Sequence, residues 1–199
     1  MASKCLLERI DLMETIILAS ASPRRRELLK MAGIPFIIQA ADVDESLPQG
    51  ISPDEAVQLL ARKKAKAIDT QDCLVLAADT VVALDGIILG KPHDEEDARQ
   101  MLRTLSGKTH QVHTGVCLRK DGKETVFCET AKVEFYPLTE EEIDHYVASG
   151  EPLDKAGAYG IQGKGALLVR RIDGDYYTIV GLPIARVVRE LQKAASSVV

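Results

Sequence analysis

The chain has 199 residues, 46% of them hydrophobic, which suits one globular core, and its net charge of -5 gives no overall attraction for nucleic acid or an anionic membrane. Any anion it binds must therefore be held locally. No apolar run approaches the roughly 18 to 20 residues that span a bilayer, and the first residues lack the pattern of a secretory leader, so the expected compartment is the cytosol.

Residues 1–12 match no later pattern and read as an N-terminal extension, with one domain expected over 13–199. Thr15 to Ala19 is a short Ile-rich run with a turn signal after it, and predicts a buried strand. Ser22 suits an N-cap and Pro23 the first helical position, so a helix should run to Met31 and stop at Gly33. "IPFIIQA" predicts a second strand, and the loop "ADVDESLPQG" is too polar and turn-rich to pack. Ser52-Pro53-Asp54-Glu55 opens the next helix, which leads to Ile68. "CLVLAADTVVALDGIILGKP" is the strongest strand signal, interrupted at Asp79-Thr80 and turning at Asp85-Gly86. A helix with an acidic first turn follows Pro92, and the alternation around Asp121-Gly122 predicts a long hairpin. Thr139 and Glu142 form a capping box, a glycine-rich stretch runs from Gly157 to Gly165, strands flank Asp173-Gly174, and Pro183 opens a last helix through Leu191. Helices and strands in this order, with central hairpins, predict an α/β fold on a mixed sheet.

Cys5, Cys73, Cys117 and Cys128 are widely spaced and read as reduced thiols, small and buried. With no Trp, five Tyr and three Phe, the chain is poor in platforms for stacking single-stranded nucleic acid. His110 and His113 lie three apart on a predicted strand and point to opposite faces, which argues against a shared metal.

The first chemical constellation is "SASPRRR". A helix start offers free N–H groups and a partial positive charge, so Arg24 and Arg25 beside Ser20 and Ser22 build a place for phosphate or carboxylate. Arginines there oppose the helix dipole, a cost that a bound anion offsets. Asp79 stands among apolar strand residues, where a carboxylate is expensive to bury unless paired or metal-bound; it is a candidate base or metal ligand. Lys64 lies on the polar side of a helix and Lys91 follows a strand, from which it could project into a cleft; for each alone the simpler reading is solvated surface. Asp42, Asp44 and Glu45 could supply oxygen ligands to Mg²⁺. Gln162, in "GIQGKG", could read a nucleobase edge through its paired donor and acceptor. Neither a Walker A loop nor a dinucleotide-binding GxGxxG in a βαβ unit is present, nor a G-x-S-x-G elbow.

Taken in order, "LASASPRR", "LARKKA", "AADTVV", "GKP", "LSGKTHQVHTGV" and "EPLDKAGAYGIQGKGALLVRRIDGDYYTIVGLP" resemble the Maf family of nucleotide pyrophosphatases from Thr15 to about Leu191. "AGAYGIQG" is similar to the branch that acts on dTTP and UTP. The resemblance implies an elongated mixed-sheet α/β fold with two lobes and a central cleft, related to the inosine triphosphate pyrophosphatases. It further implies hydrolysis of a nucleoside triphosphate to the monophosphate and pyrophosphate with a divalent cation, Mg²⁺ or Mn²⁺, so that noncanonical nucleotides are kept out of nucleic acid; modified pyrimidine nucleotides are further candidate substrates. By the resemblance Asp79 is the proton acceptor, and Arg24, Thr80 and Gln162 bear on base preference. Ser20, Arg25, Glu45, Lys64 and Lys91 complete the cleft, with Glu45 and Asp79 as metal ligands. The partner is then a nucleotide and neither nucleic acid nor membrane, with a homodimer as the candidate assembly. Two other readings follow from the resemblance: a regulator of septum formation acting by binding, and a purine house-cleaning enzyme.

Overall fold

A computed structural model describes residues 14–40, 42–70 and 72–196; the expected N-terminal extension and Cys5 lie outside the described residues. Strands β1 (Ile16–Leu18), β2 (Phe36–Ile38), β3 (Val75–Leu84), β4 (Ile87–Leu89), β5 (Thr109–Lys120), β6 (Lys123–Phe135) and β7 (Val169–Asp173) form one sheet. Its order is β2-β1-β3-β5-β6-β7, with β4 paired to β3. β1 runs parallel to β2 and β3, and every other pairing is antiparallel, so the sheet is mixed as expected.

Six α-helices are described: α1 (Pro23–Met31), α2 (Pro53–Lys66), α3 (Glu95–Leu105), α4 (Glu140–Val147), α5 (Tyr176–Val180) and α6 (Ile184–Ser196). Their starts follow local chemistry. Ser52 with Glu55 and Thr139 with Glu142 close reciprocal capping boxes, and Asp94 accepts from the Asp97 N–H. Ser22 stands at the α1 N-cap position, yet its hydroxyl caps nothing; instead its N–H donates to Ser20 Oγ.

Two expectations give way. β3 is continuous through Asp79-Thr80, because both residues stay in the ladder to β5, opposite Gly115 and Thr114, and each finds polar partners on its own face of the sheet. After Gly174 the chain forms α5 and no strand: Asp175 accepts from both the N–H and the hydroxyl of Thr178, and this cap overrides the β-propensity of "YYTIV".

The sheet's faces differ in side-chain size. Toward α2 the packing is small, joining Ile17, Ala19, Ala61, Ala65, Ile68, Val75, Ala77 and Cys117. The opposite face carries the large core, in which Leu18, Leu76, Val82 and Val116 meet the apolar sides of α1, α3, α4, α5 and α6. Gly115 lets α2 lie directly on β5, since a Cβ there would stand 2.4 Å from the carbonyl carbon and oxygen of Val57. Thus α1 and α2 cover opposite faces, and the chain passes from β2 on one side of β1 to β3 on the other. In open α/β sheets that reversal leaves a crevice beyond the carboxyl end of the strand, and Ser20 and Asp79 sit there.

Candidate active site

Asp79 and Thr80 are neighbours on β3 and point to opposite faces. On the α2 face, the last turn of the helix brings Lys64 Nζ to 2.5 Å from Asp79 Oδ1 and 2.7 Å from Glu45 Oε1. The Lys64 side chain is only 13% exposed, so it is no solvated surface group. Its hydrogen bond holds the Glu45 carboxyl below the usual range against the opposing effect of burial, helped by the charges of Lys64 itself, Lys91 and Arg25. The acidic loop is also more ordered than its composition suggests. Lys63 Nζ donates to the carbonyls of Asp44 and Ser46 at 2.9 and 3.1 Å, and Asp44 accepts from the N–H and hydroxyl of Ser46. Two adjacent lysines thereby clasp the loop to α2 and set Glu45 beside Asp79.

Arg25 occupies the other face. Its Nε–H donates to the Gly181 carbonyl at 2.9 Å, one terminal nitrogen to Ser20 Oγ at 3.0 Å, and the other to Thr80 Oγ1 at 3.2 Å. Thr80 in turn shares a 2.9 Å hydrogen bond with Thr114, whose hydroxyl donates to the Thr178 carbonyl at 2.7 Å. Burial lowers the Arg25 pKa from its ordinary value, and the Asp79 charge works against that shift. Thr114, Thr178 and Gly181 are the members of this network that sequence reasoning missed. The available signal was register: Thr114 is directly opposite Thr80 once the β3–β5 ladder is drawn.

The remaining residues form a looser rim. Lys91 is exposed, and its neighbour Gly90 accepts from the Gly157 N–H at 2.9 Å, which ties this turn to the glycine-rich segment. Gln162 is exposed at the start of a 3-10 turn, Gly163–Leu168. That turn is anchored by Glu151, whose carboxylate accepts from the N–H groups of Lys164 and Gly165 and from the Tyr146 hydroxyl. Gly165 is required there, because a Cβ would stand 2.2 Å from the Gly160 carbonyl oxygen. Arg24 faces the Glu151–Asp154 turn: the Asp154 carboxyl is lowered chiefly by its hydrogen bond with Lys155, and the Arg24 charge adds to the effect. The structure therefore joins Lys64, Glu45 and Asp79 in one contact set and Ser20, Arg25 and Thr80 in another. Lys91 is linked by charge, while Arg24 and Gln162 bond to neither set. Asp42 is exposed and takes no part in either.

The donor set suits a hard divalent cation. Lys64 uses one oxygen of each carboxylate, and the second oxygens of Asp79 and Glu45 make no hydrogen bond among the described residues. Mg²⁺ is commonly held by one or two carboxylates with substrate phosphate oxygens filling further positions.

A crevice at the reversal point of a mixed sheet, with carboxylates on one wall and arginines at the helix start on the other, defines an α/β protein suited to polyanionic ligands. Residues 15–194 match the model of the family described as Maf-like protein, and the chain belongs to the Maf family. It is 55% identical over 183 residues to the dTTP/UTP pyrophosphatase of Bacillus thuringiensis subsp. konkukian, covering 91% of this chain and 96% of that protein. It is 52% identical over 180 residues to the dTTP/UTP pyrophosphatase of Bacillus velezensis, covering 89% and 95%. Among solved structures, the Staphylococcus aureus Ham1 protein aligns with a TM-score of 0.49 at 16% identity, over 92% of this chain and 98% of that one. No helix among the described residues is long and apolar enough to cross a membrane.

Proposed function

We propose that this chain hydrolyses dTTP and UTP to the nucleoside monophosphate and pyrophosphate. The observation that carries the reading is identity above half with two proteins of that name over about nine tenths of the chain, together with a crevice that pairs carboxylates with cations. In the reaction a water oxygen attacks the α-phosphorus, the bond from that phosphorus to the bridging oxygen breaks, and pyrophosphate leaves. Asp79 accepts the water proton, and Lys64 holds the carboxylate in place through a 2.5 Å contact. Arg25 has three of its five N–H groups on protein acceptors, which fixes the guanidinium and leaves two for phosphate oxygens. Ser20 lines the same wall, and Lys91 closes the clamp from the rim. Asp79 and Glu45 would hold Mg²⁺ or Mn²⁺, which supplies neutralisation of the phosphate charge.

Arg24 and Gln162 bond to neither contact set and are assigned to base selection, together with Thr80. We assign residues 13–199 to one domain, preceded by an extension, acting in the cytosol and as a homodimer. Modified pyrimidine nucleotides are further substrates, and their removal protects nucleic acid synthesis. Pyrophosphate release measured over a nucleoside triphosphate panel, with Mg²⁺, Mn²⁺ or neither, tests the reading. Turnover of dTTP and UTP well above GTP and ITP, dependent on a divalent cation, is expected; equal turnover of the purines removes the base assignment.

A further inference from the structure

Away from the crevice, the first turn of α2 and strands β5 and β6 bring together three side chains of different donor type. Asp54 Oδ1 is 2.6 Å from His113 Nδ1 and 3.3 Å from Cys128 Sγ, and the three ligand atoms of this group lie within 4.8 Å of one another. Thr130 Oγ1 adjoins them, 3.0 Å from His113 Nδ1 and 3.4 Å from Asp54 Oδ1. The grouping follows from register. His113 is opposite Thr130 and Gly115 is opposite Cys128, so all face α2, and the missing side chain at Gly115 is what lets the start of α2 descend onto them.

We propose that Asp54, His113 and Cys128 form a binding site for a borderline-soft transition metal ion, of which Zn²⁺ is the representative, distinct from the carboxylate pair at Asp79. Oxygen, imidazole nitrogen and thiolate are the ligands Zn²⁺ takes in proteins, and they disfavour Mg²⁺, which demands hard oxygen donors. With bonds of about 2.0–2.3 Å, the ligands of a tetrahedral zinc stand roughly 3.3–3.8 Å apart, close to the spread already present here. The one contact that must open is that between Asp54 and His113, and the Asp54 side chain, 58% exposed, can give. That exposure also leaves a fourth position open to water.

The ring itself has few other uses for its polarity. His113 is 5% exposed, and its buried Nε2 has no hydrogen-bond partner among the described residues, so its polar contacts converge on this cluster. Three donors also crowd one oxygen of Asp54. Without a metal, the Cys128 thiol keeps its proton and donates it to the Asp54 carboxylate at 3.3 Å. Binding of the ion forms a metal–sulfur bond and releases the thiol proton to solvent, while the Nδ1 proton of His113 shifts to Nε2 so that Nδ1 can take the metal; the cation thus replaces the Cys128 and His113 donors on the Asp54 oxygen, and the Thr130 hydroxyl remains. The ion would then tie the start of α2 to β5 and β6.

The test is a titration of the metal-free full chain with Co²⁺, read by absorption. A near-ultraviolet thiolate-to-cobalt charge-transfer band is expected, removed by stoichiometric Zn²⁺ and unaffected by a large excess of Mg²⁺. Cys128→Ser should abolish the band while far-ultraviolet circular dichroism stays unchanged. Asp54→Asn and His113→Gln should each weaken Co²⁺ binding by more than the roughly 10–100-fold that loss of an outer-shell partner costs at a metal site. Absence of the band, its persistence in Cys128→Ser, or unchanged affinity in both other variants overturns the proposal.

Discussion

The two faces of β3 at Asp79 and Thr80 solve the problem of a buried charge in opposite ways. On the α2 face one ammonium is shared by two carboxylates, Lys64 with Asp79 and Glu45, and each carboxylate keeps an oxygen in reserve. On the other face a guanidinium is fastened to a carbonyl and two hydroxyls through Gly181, Ser20 and Thr80. A cation shared by two carboxylates that each keep a spare oxygen can be joined by another cation without leaving an orphaned acceptor. Removal of Arg25 takes a donor from three acceptors at once: Ser20 and Thr80 keep bonds to the Ser22 N–H and to Thr114, but the Gly181 carbonyl loses its side-chain partner, a cost of about 1–3 kcal/mol where it is buried. The first face is therefore suited to chemistry that shifts protons and cations, and the second to holding geometry.

Loss of the Asp79 charge separates the roles most sharply. Asp79→Asn keeps the shape and a hydrogen bond to Lys64 but cannot accept a proton. Pyrophosphate release should fall by about 10²–10⁴-fold, the contribution of a placed base, while the urea midpoint moves little. A rate within a few fold of the parent would remove Asp79 from the proton-accepting role.

The next effect belongs to the large core and is read in pH. His110 packs edge-on against Phe135 and Tyr159, with Nε2 2.8 Å from the Tyr159 hydroxyl and Nδ1 unpartnered among the described residues. Burial lowers its pKa from the ordinary 6.5 to about 4. The unfolded chain therefore takes up a proton near pH 6.5 that the folded chain refuses until about pH 4. Stability from this residue is fully present above pH 6.5 and is lost as pH falls from there through about 4, a total of about 3 kcal/mol. Urea unfolding at pH 7 and pH 4 should show the loss, and His110→Gln should flatten it. An equal pH slope in both proteins would place the acid sensitivity on carboxylates.

What could be read from the chain was what local chemistry decides. The capping boxes at Ser52 and Thr139, the hairpin turns at Asp85-Gly86 and Asp121-Gly122, and the helix that opens within "SASPRRR" follow from residues within one turn of each other. The site residues Asp79, Lys64 and Arg25 were visible as types, but their partners were not. Lys64 pairs across 15 residues and Arg25 across 156, and such contacts exist only once the sheet order is set. The same reason hid the Asp54, His113 and Cys128 group, whose members are unremarkable along the chain. Cys73 and Cys128 are less buried than small hydrophobic residues would be, Cys73 being exposed at a loop where no strand pairs over it.

Glu45 offers the finest division between the two faces. Its side chain is 60% exposed, so the ion pair with Lys64 contributes little to folding, and Glu45→Gln should change stability by no more than about 0.5 kcal/mol. If its function is to help Asp79 hold a divalent cation, the loss should appear elsewhere, as a several-fold rise in the Mg²⁺ concentration for half-maximal rate with little change at saturating Mg²⁺. The Lys64 hydrogen bond holds the Glu45 carboxyl below the ordinary range, so the parent keeps the Glu45 charge as pH falls through that range and loses it only below. A Mg²⁺ requirement that is the same in parent and variant would assign Glu45 to orienting Lys64 alone, and would make the α2 face, like its opposite, a matter of fixed geometry.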